Sequence, residues 1–244
     1  MENVMAPAAP VEKVHHPGLG FKGLWQVFVA PSQLFAKVKE DPKVLVPYIV
    51  LGLAILGLML LLADYILQAQ MQSEQFQKSL EQRGVTREQL TGQVLTFMKL
   101  STVAAGTLGM LLVPLLIAAL AAFWGKFVFA GRASFKALLS VSLFGEVLYA
   151  LGSYVTIPLV MAKKSILVSL SAAALLPNPD LTSLSYALLS KISLFHIWEL
   201  IVLGIGFSII LGLPRNKGIW VAVLSMGLLA ILHALSSGIG AMFA

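Results

Sequence analysis

The sequence predicts an all-α fold, a polytopic membrane helix bundle of about five transmembrane helices with an external helical hairpin and an N-terminal interfacial amphipathic helix. Hydrophobic residues make up 58% of the 244 residues and charged residues only 11%, with a mean hydropathy of +0.89. A soluble domain carries roughly 25% charged residues, and a globule of this size cannot bury so much apolar surface. The apolar residues also fall into runs long enough to cross a bilayer.

The five apolar runs are the predicted spans. As α-helices they are each about 35 Å or longer, which exceeds the roughly 30 Å hydrocarbon core of a bilayer. They cover residues 44–67, 100–125, 137–162, 192–214 and 218–243. We therefore divide the chain into a flexible cytoplasmic tail (1–20), an interfacial amphipathic segment (21–43) and the membrane bundle (44–244).

The charges predict an orientation. The net charge of +6 comes from 17 Lys and Arg against 11 Asp and Glu, and there is no cysteine. In a membrane protein such an excess favours contact with anionic lipid at the cytoplasmic face rather than with nucleic acid. Two short loops are purely basic, although Lys163 and Lys164 oppose the resulting assignment. We expect a cytoplasmic N-terminus and an external C-terminus. The basic loop residues are Lys126, Arg132, Lys136, Arg215 and Lys217.

An amphipathic segment precedes the first span. Between residues 21 and 40, apolar side chains can face one way while Lys37 and Lys39 face another. This pattern favours a helix or helix pair lying on the cytoplasmic leaflet, and the alternative is a solvated tail with scattered apolar residues. The apolar face is formed by Leu24, Trp25, Phe28, Leu34, Phe35 and Val38.

Two further segments lie between spans. Residues 68–99 are polar with helical spacing and predict the external hairpin, with Gly84 ending one helix and Thr86 with Gln89 forming a capping box for the next. Residues 165–177 are apolar but about 20 Å long as a helix. We interpret them as an interfacial or re-entrant helix rather than a sixth crossing, the alternative being a helix packed on the bundle.

Ionisable residues inside spans form the candidate polar site, because such groups are costly in a membrane. Glu146 lies near the midplane, where its carboxyl must be protonated or paired. It is either a proton or ligand site or a neutral partner in an interhelical hydrogen bond. His196 and Glu199 share a helix face and lie at a depth similar to that of His233. These three either meet, as a metal site or pH-sensitive latch, or remain a local pair and a packed histidine.

Small residues predict where the last two spans pack. They recur at every fourth position, a spacing that lets helix backbones approach closely. The residues are Gly204, Ser208 and Gly212 in the fourth span and Ala230, Ala234 and Gly238 in the fifth. Nucleotide-binding, zinc-protease and serine-hydrolase motifs (G-x-x-x-x-G-K-[ST], H-E-x-x-H, G-x-S-x-G) do not occur, so we expect no enzyme and no cofactor.

Three stretches resemble the Yip family, the Ypt/Rab-interacting polytopic membrane proteins. Residues 25–35 (WQVFVAPSQLF) are similar to its amphipathic entry, and residues 129–141 (FAGRASFKALLSV) to its connection into the third span. Residues 193–208 (SLFHIWELIVLGIGFS) are similar to its fourth span. The third span departs from the family's YSxxP pattern, since it has no proline and carries Glu146 instead.

The resemblance implies five spans and the bacterial type, in a bacterial cytoplasmic (inner) membrane. The Rab link of eukaryotic members is not carried over to this chain. The leading hypothesis is a non-enzymatic integral membrane protein that binds partner proteins, or organises and shapes membrane. Its expected partners are membrane lipids and a membrane protein or a second copy of the chain. The alternative is a transport component that uses Glu146, Glu199 and His233.

Overall fold

This computed structural model describes residues 19–86, 89–168, 170–177 and 183–242, and most of these residues are helical. The predicted tail lies almost entirely outside these residues. Short 3₁₀ and π-helical turns join the helices, and within the described residues β pairing is limited to one bridge between Ser171 and Ser193. The helices are α1 (Leu19–Val29), α2 (Pro31–Glu40), α3 (Leu45–Gln72), α4 (Glu74–Gln82), α5 (Gly92–Phe123), α6 (Phe135–Tyr154), α7 (Ile157–Lys163), α8 (Leu184–Leu189), α9 (Leu194–Leu211) and α10 (Arg215–Met242).

Among the described residues, five helical segments are long and apolar enough to span a membrane, which confirms the predicted polytopic bundle. They are Leu45–Gln72, Gly92–Val128, Phe135–Lys163, Leu194–Leu211 and Arg215–Leu235. The third and fourth of these windows are 67% and 61% buried, against 22–28% for the other three. α6 and α9 are therefore the centre of the bundle, and α3, α5 and α10 surround them.

Successive spans run antiparallel, which defines two sides of the bundle. The N-terminal side carries α1, α2, the α5–α6 connection and the turn between α9 and α10. The hairpin side carries α4 and the long connection from α7 to α9. On the hairpin side, Lys99 on α5 pairs with Asp64 on α3 at 2.6 Å.

Side-chain hydroxyls join neighbouring helices to one another. Tyr48 on α3 donates to the carbonyl of Leu111 on α5 at 2.6 Å, in the turn before Pro114. Tyr154 on α6 donates to the carbonyl of Ala54 on α3, also at 2.6 Å. A phenol whose O–H is satisfied in this way can lie between helices without an unpaired polar group.

The N-terminal segment forms two helices, because Pro31 has no N–H and starts α2 at its first position. Its packing differs from the expected lipid-facing surface. Leu34, Phe35 and Val38 are fully buried, and α2 packs against α6 and α9. The reason is local: Gly206 of α9 has no side chain, and the Phe35 ring occupies that space.

The hairpin predicted between the first two spans forms in part. Gly84, with a φ of 62°, follows the last turn of α4. The backbone N–H of Thr86 donates to the side-chain oxygen of Gln89 at 3.0 Å, which is half of the predicted capping box. The following helix begins only at Gly92, so this contact caps a short turn rather than α5.

The prediction of a helix over residues 165–177 is wrong. The described part of this segment is a series of turns with a single 3₁₀ turn, Ala172–Leu175. Lys164 ends α7 in the left-handed conformation, with a φ of 51°. Ser171 then pairs with Ser193, and the backbone N–H of Ala172 donates to the carbonyl of Ile192. This pairing holds the segment against the start of α9 in a non-helical form.

Candidate functional site

The interface of α6 and α9 brings the candidate polar residues together. Glu146 and Tyr149 are three residues apart on α6, and His196 and Glu199 are three apart on α9, so each pair shares a helix face. Because the helices run antiparallel, Glu146 meets Glu199 and Tyr149 meets His196. The result is a carboxyl pair with an aromatic pair beside it.

The carboxyl pair is the most deeply buried ionisable group in the described part of the chain. Glu146 is 7% exposed and Glu199 is 1% exposed. The two carboxyl groups are close enough to share a hydrogen bond, and Oε1 of Glu199 is buried. Since an ionised carboxylate only accepts, such a bond requires a proton on one of the two groups.

The aromatic pair lies between the carboxyl pair and the hairpin side. The rings of Tyr149 and His196 have their centroids 4.2 Å apart. Ser193 caps α9 by accepting from the backbone N–H of His196 at 3.2 Å, and its oxygen lies 2.9 Å from Nδ1 of the same residue. In the tautomer protonated at Nε2, the serine O–H donates to Nδ1.

Further ionisable groups surround this site on the hairpin side. Lys191, an exposed residue in the connection before α9, is an electrostatic neighbour of both carboxyl groups and of His196. Tyr186 on α8 is buried, and that burial raises its pKa. Across the described residues, no group of three or more His, Cys, Asp or Glu side chains is placed to hold a metal ion.

The structure places the predicted site residues differently from what their positions along each span had indicated. Glu199 was expected to lie at the depth of His233, whereas the structure pairs it with Glu146. His196 packs on Tyr149. His233 lies on α10, partly exposed and within electrostatic range of Lys191. The pairing of Glu146 with Glu199 depends on the register of two helices, which neither helix's own sequence specifies.

The small residues of α9 divide between close packing and helix termination. Gly204 and Ser208 face α10, where a Cβ on Gly218 would lie 2.5 Å from the Gly204 carbonyl oxygen and from Ser208 Cβ. Gly212 is instead exposed and ends α9 with a φ of 67°. It differs from the predicted packing role because a left-handed C-terminal residue favours glycine.

The small residues of α10 are described less completely. Ala234 is buried at 1% exposure and Ala230 is half-buried. The surroundings of Gly238 lie outside what the structure describes. α10 as a whole packs along α9 and also contacts α5 and α8.

A second surface of interest is the outward side of α1. Phe21 and Trp25 are each 70% exposed and Val29 is 60% exposed. These three residues recur every four positions and form one helix face, which we call the α1 face. The opposite side of the same helix buries Val27 completely.

Comparison with known proteins identifies one family. The family model described as the Yip1 domain matches residues 25–237. No curated protein and no solved structure matches the chain. The match begins within α1 and ends within α10, so it includes α2, both central helices and the site between them. The chain therefore belongs to the Yip1 domain family.

Proposed function

We propose that this protein is a non-enzymatic membrane protein that organises and curves the membrane by inserting its N-terminal helix pair into one leaflet. The main observation in support of this proposal is that the helix pair has one side buried in the bundle and one apolar side exposed. Its inner side is fixed in the bundle by Leu34 and Phe35, which are fully buried, and its outer side presents the α1 face. A fixed apolar helix adds volume to the leaflet that surrounds it.

The contacts of the helix pair support a position within one leaflet. On α1, Gly23 lies against the ring of Phe144 on α6. Phe144 is about 14 Å from the end of α6 that faces the N-terminal side of the bundle. On α2, Phe35 lies against Gly206, about 8 Å from the corresponding end of α9. Both depths fall within half of a hydrocarbon core of roughly 30 Å.

The charge on the same side supports an anionic leaflet as the lipid partner. The basic residues of the N-terminal side are largely exposed, and each adds about 1 kcal/mol of attraction to an anionic surface. They are Lys22, Lys37, Lys39, Lys126, Arg132, Lys136, Arg215 and Lys217.

The test is reconstitution into vesicles with and without anionic lipid, with vesicle diameter measured by cryo-electron microscopy. We expect the parent protein to shift vesicles containing anionic lipid towards smaller diameters as the protein-to-lipid ratio rises. The triple variant Phe21→Ala, Trp25→Ala, Val29→Ala removes the α1 face and should lose this effect.

The matched control removes equally exposed apolar side chains from a span. Leu45, Leu53 and Leu60 on α3 are 70%, 66% and 54% exposed. Their triple alanine variant should curve vesicles like the parent. If both triple variants curve vesicles equally, the α1 face does not act as the wedge and a partner-binding role, with a membrane protein or a second copy, takes its place.

A transport role is the second candidate, and the buried carboxyl pair favours it. Glu146→Gln keeps the shape and both kinds of hydrogen-bonding atom while removing titration. Under the membrane-organising proposal, this variant should fold like the parent and retain function in any cellular assay that a deletion affects. A Gln variant that folds normally yet matches the deletion would favour proton-coupled transport.

A further inference from the structure

We propose that Glu146 and Glu199 form a binding site for a single shared proton, reached from the hairpin side past His196 and Lys191. This site is independent of the membrane-organising role, since it lies between α6 and α9 and shares no residue with the α1 face. Its ligand is the proton itself, exchanged with water.

The number of protons follows from the geometry of the carboxyl pair. With no proton, two negative charges would be in contact at a site where Glu199 is 1% exposed, which is strongly unfavourable. With two protons, the pair carries no charge, and the nearby cation Lys191 has no carboxylate to neutralise. A single proton shared in the hydrogen bond avoids both situations. The pair then carries one negative charge, and Lys191 is the nearby cation.

The carboxyl pair is more deeply shielded on one side than on the other. Towards the N-terminal side, Leu203 packs on Gly145 immediately beside the pair, and both Leu203 and Phe144 are fully buried. Towards the hairpin side, Tyr149 and His196 are only half-buried, and His196 is hydrogen-bonded to Ser193 at the start of α9. The polar groups of Tyr149, His196 and Ser193 therefore lie between the carboxyl groups and the exposed Lys191.

Among the described residues, few other ionisable groups lie on the helices around the pair. α6 contributes Tyr149, α9 contributes His196, α8 contributes Tyr186 and α10 contributes His233. The charges at the hairpin-side ends of α3 and α5, Asp64 and Lys99, neutralise one another. Lys191 is thus the cation that acts on the pair, and its removal should make a doubly ionised pair less favourable.

The proton also joins the two central helices, which gives the site a measurable effect on stability. Raising the pH removes the shared proton and leaves two carboxylates in contact across α6 and α9. We therefore expect the melting temperature of the parent protein in mild detergent to fall, by about 5 °C, between mildly acidic and mildly alkaline buffer. Glu146→Gln and Glu199→Gln remove the repulsion and should make this part of the profile flat.

Matched variants separate this effect from general electrostatics. Glu81 on α4 is an exposed carboxylate, so Glu81→Gln should keep the parent's pH profile. Lys191→Gln should move the fall to higher pH, whereas Lys163→Gln, at the end of the neighbouring α7, should not. A parent profile without the fall, or one that persists unchanged in both Gln variants, would overturn the proposal.

A chemical probe tests the site even if a Gln variant fails to fold. Dicyclohexylcarbodiimide reacts with protonated carboxyl groups in apolar surroundings, and the adduct can be located by mass spectrometry of the parent protein. We expect labelling of Glu146 or Glu199 in mildly acidic buffer, its decline in mildly alkaline buffer, and none at Glu81. Labelling that does not depend on pH, or that misses both residues, would contradict a titrating single-proton pair.

Discussion

Gly204 and Gly206 lie two residues apart on α9 and therefore point to opposite sides of that helix. A Cβ on Gly204 would lie 3.0 Å from the Cα of Ile219 on α10, and one on Gly206 would lie 2.5 Å from Val141 on α6. α9 is thus in close contact on both sides, which explains why it can lie at the centre of the bundle. Without an apolar driving force between helices in lipid, such close packing is the main source of association.

Bulk at these positions should lower stability. Gly204→Leu, Gly206→Leu and Ser208→Leu each force a branched side chain into a filled interface, at a cost of about 1–3 kcal/mol. We expect a lower melting temperature in detergent for each variant. Gly109→Leu is the control, since nothing lies within 4 Å of a Cβ at that position on α5. Equal melting of the α9 variants and the control would mean that these faces contact lipid instead.

The sequence predicts some of these residues better than others. The four-residue spacing of Gly204 and Ser208 is visible in the sequence, and the structure places both against α10. Gly145 and Gly206 form no such repeat, so the α6–α9 contact has no comparable signal. The pairing of Glu146 with Glu199 is hidden for the same reason, because it depends on which faces of two separate helices meet.

At the scale of elements, the largest of the fully buried side chains that hold the N-terminal helix pair on the bundle is Phe35. Phe35 is fully buried and lies against Gly206, so Phe35→Ala should leave a cavity costing about 3–5 kcal/mol. We expect α1 and α2 to separate from the bundle and to become sensitive to limited proteolysis. Trp25→Ala is the control, because that side chain is 70% exposed and supports no packing. Similar proteolysis of the two variants would show that the pair is not held by Phe35.

The hairpin side offers a more local test. Gly84 has a φ of 62°, a conformation that costs other residues about 1–2 kcal/mol. Gly84→Ala should therefore speed hydrogen exchange in α4 while leaving the exchange of α6 and α9 unchanged. Gly92→Ala, at the first position of α5 with open space around its Cβ, should not alter exchange in α4. Faster exchange throughout the bundle would mean that the hairpin stabilises the spans.

The elements differ in how far their sequences determine them. Long apolar runs leave a membrane segment no alternative to helix, because every backbone polar group must be satisfied internally. The described residues accordingly contain five helices long and apolar enough to span a membrane. Residues 165–177 are apolar too, yet they lie in a connection where other backbone partners exist. Ser171 and Ala172 pair there with the start of α9, a contact between distant segments that composition cannot indicate.

At the scale of the whole molecule, the bundle has a central layer and a lipid-facing layer. The α6 and α9 windows are more than half buried, and those of α3, α5 and α10 are mostly exposed. Most buried polar side chains of the described residues follow this division: Glu146, Glu199, Ser140, Ser142 and Ser208 lie in the central helices, and Ser225 lies on α10. Polar contacts are therefore kept away from lipid, and the outer helices carry the apolar surface that the high hydropathy requires.

The number of spans makes a prediction about the two ends of the protein. Five crossings place the chain's ends on opposite sides of the membrane, and the exposed basic residues Arg132, Lys136, Arg215 and Lys217 all lie on the N-terminal side. The positive-inside rule then predicts that this side is cytoplasmic. A reporter active only in the cytoplasm should report activity when inserted within residues 131–134 and none when fused after Ala244. Activity at both positions would mean that the number of crossings is even. Either one of the five helices does not cross the membrane, or the connection from α7 to α9 crosses it as well.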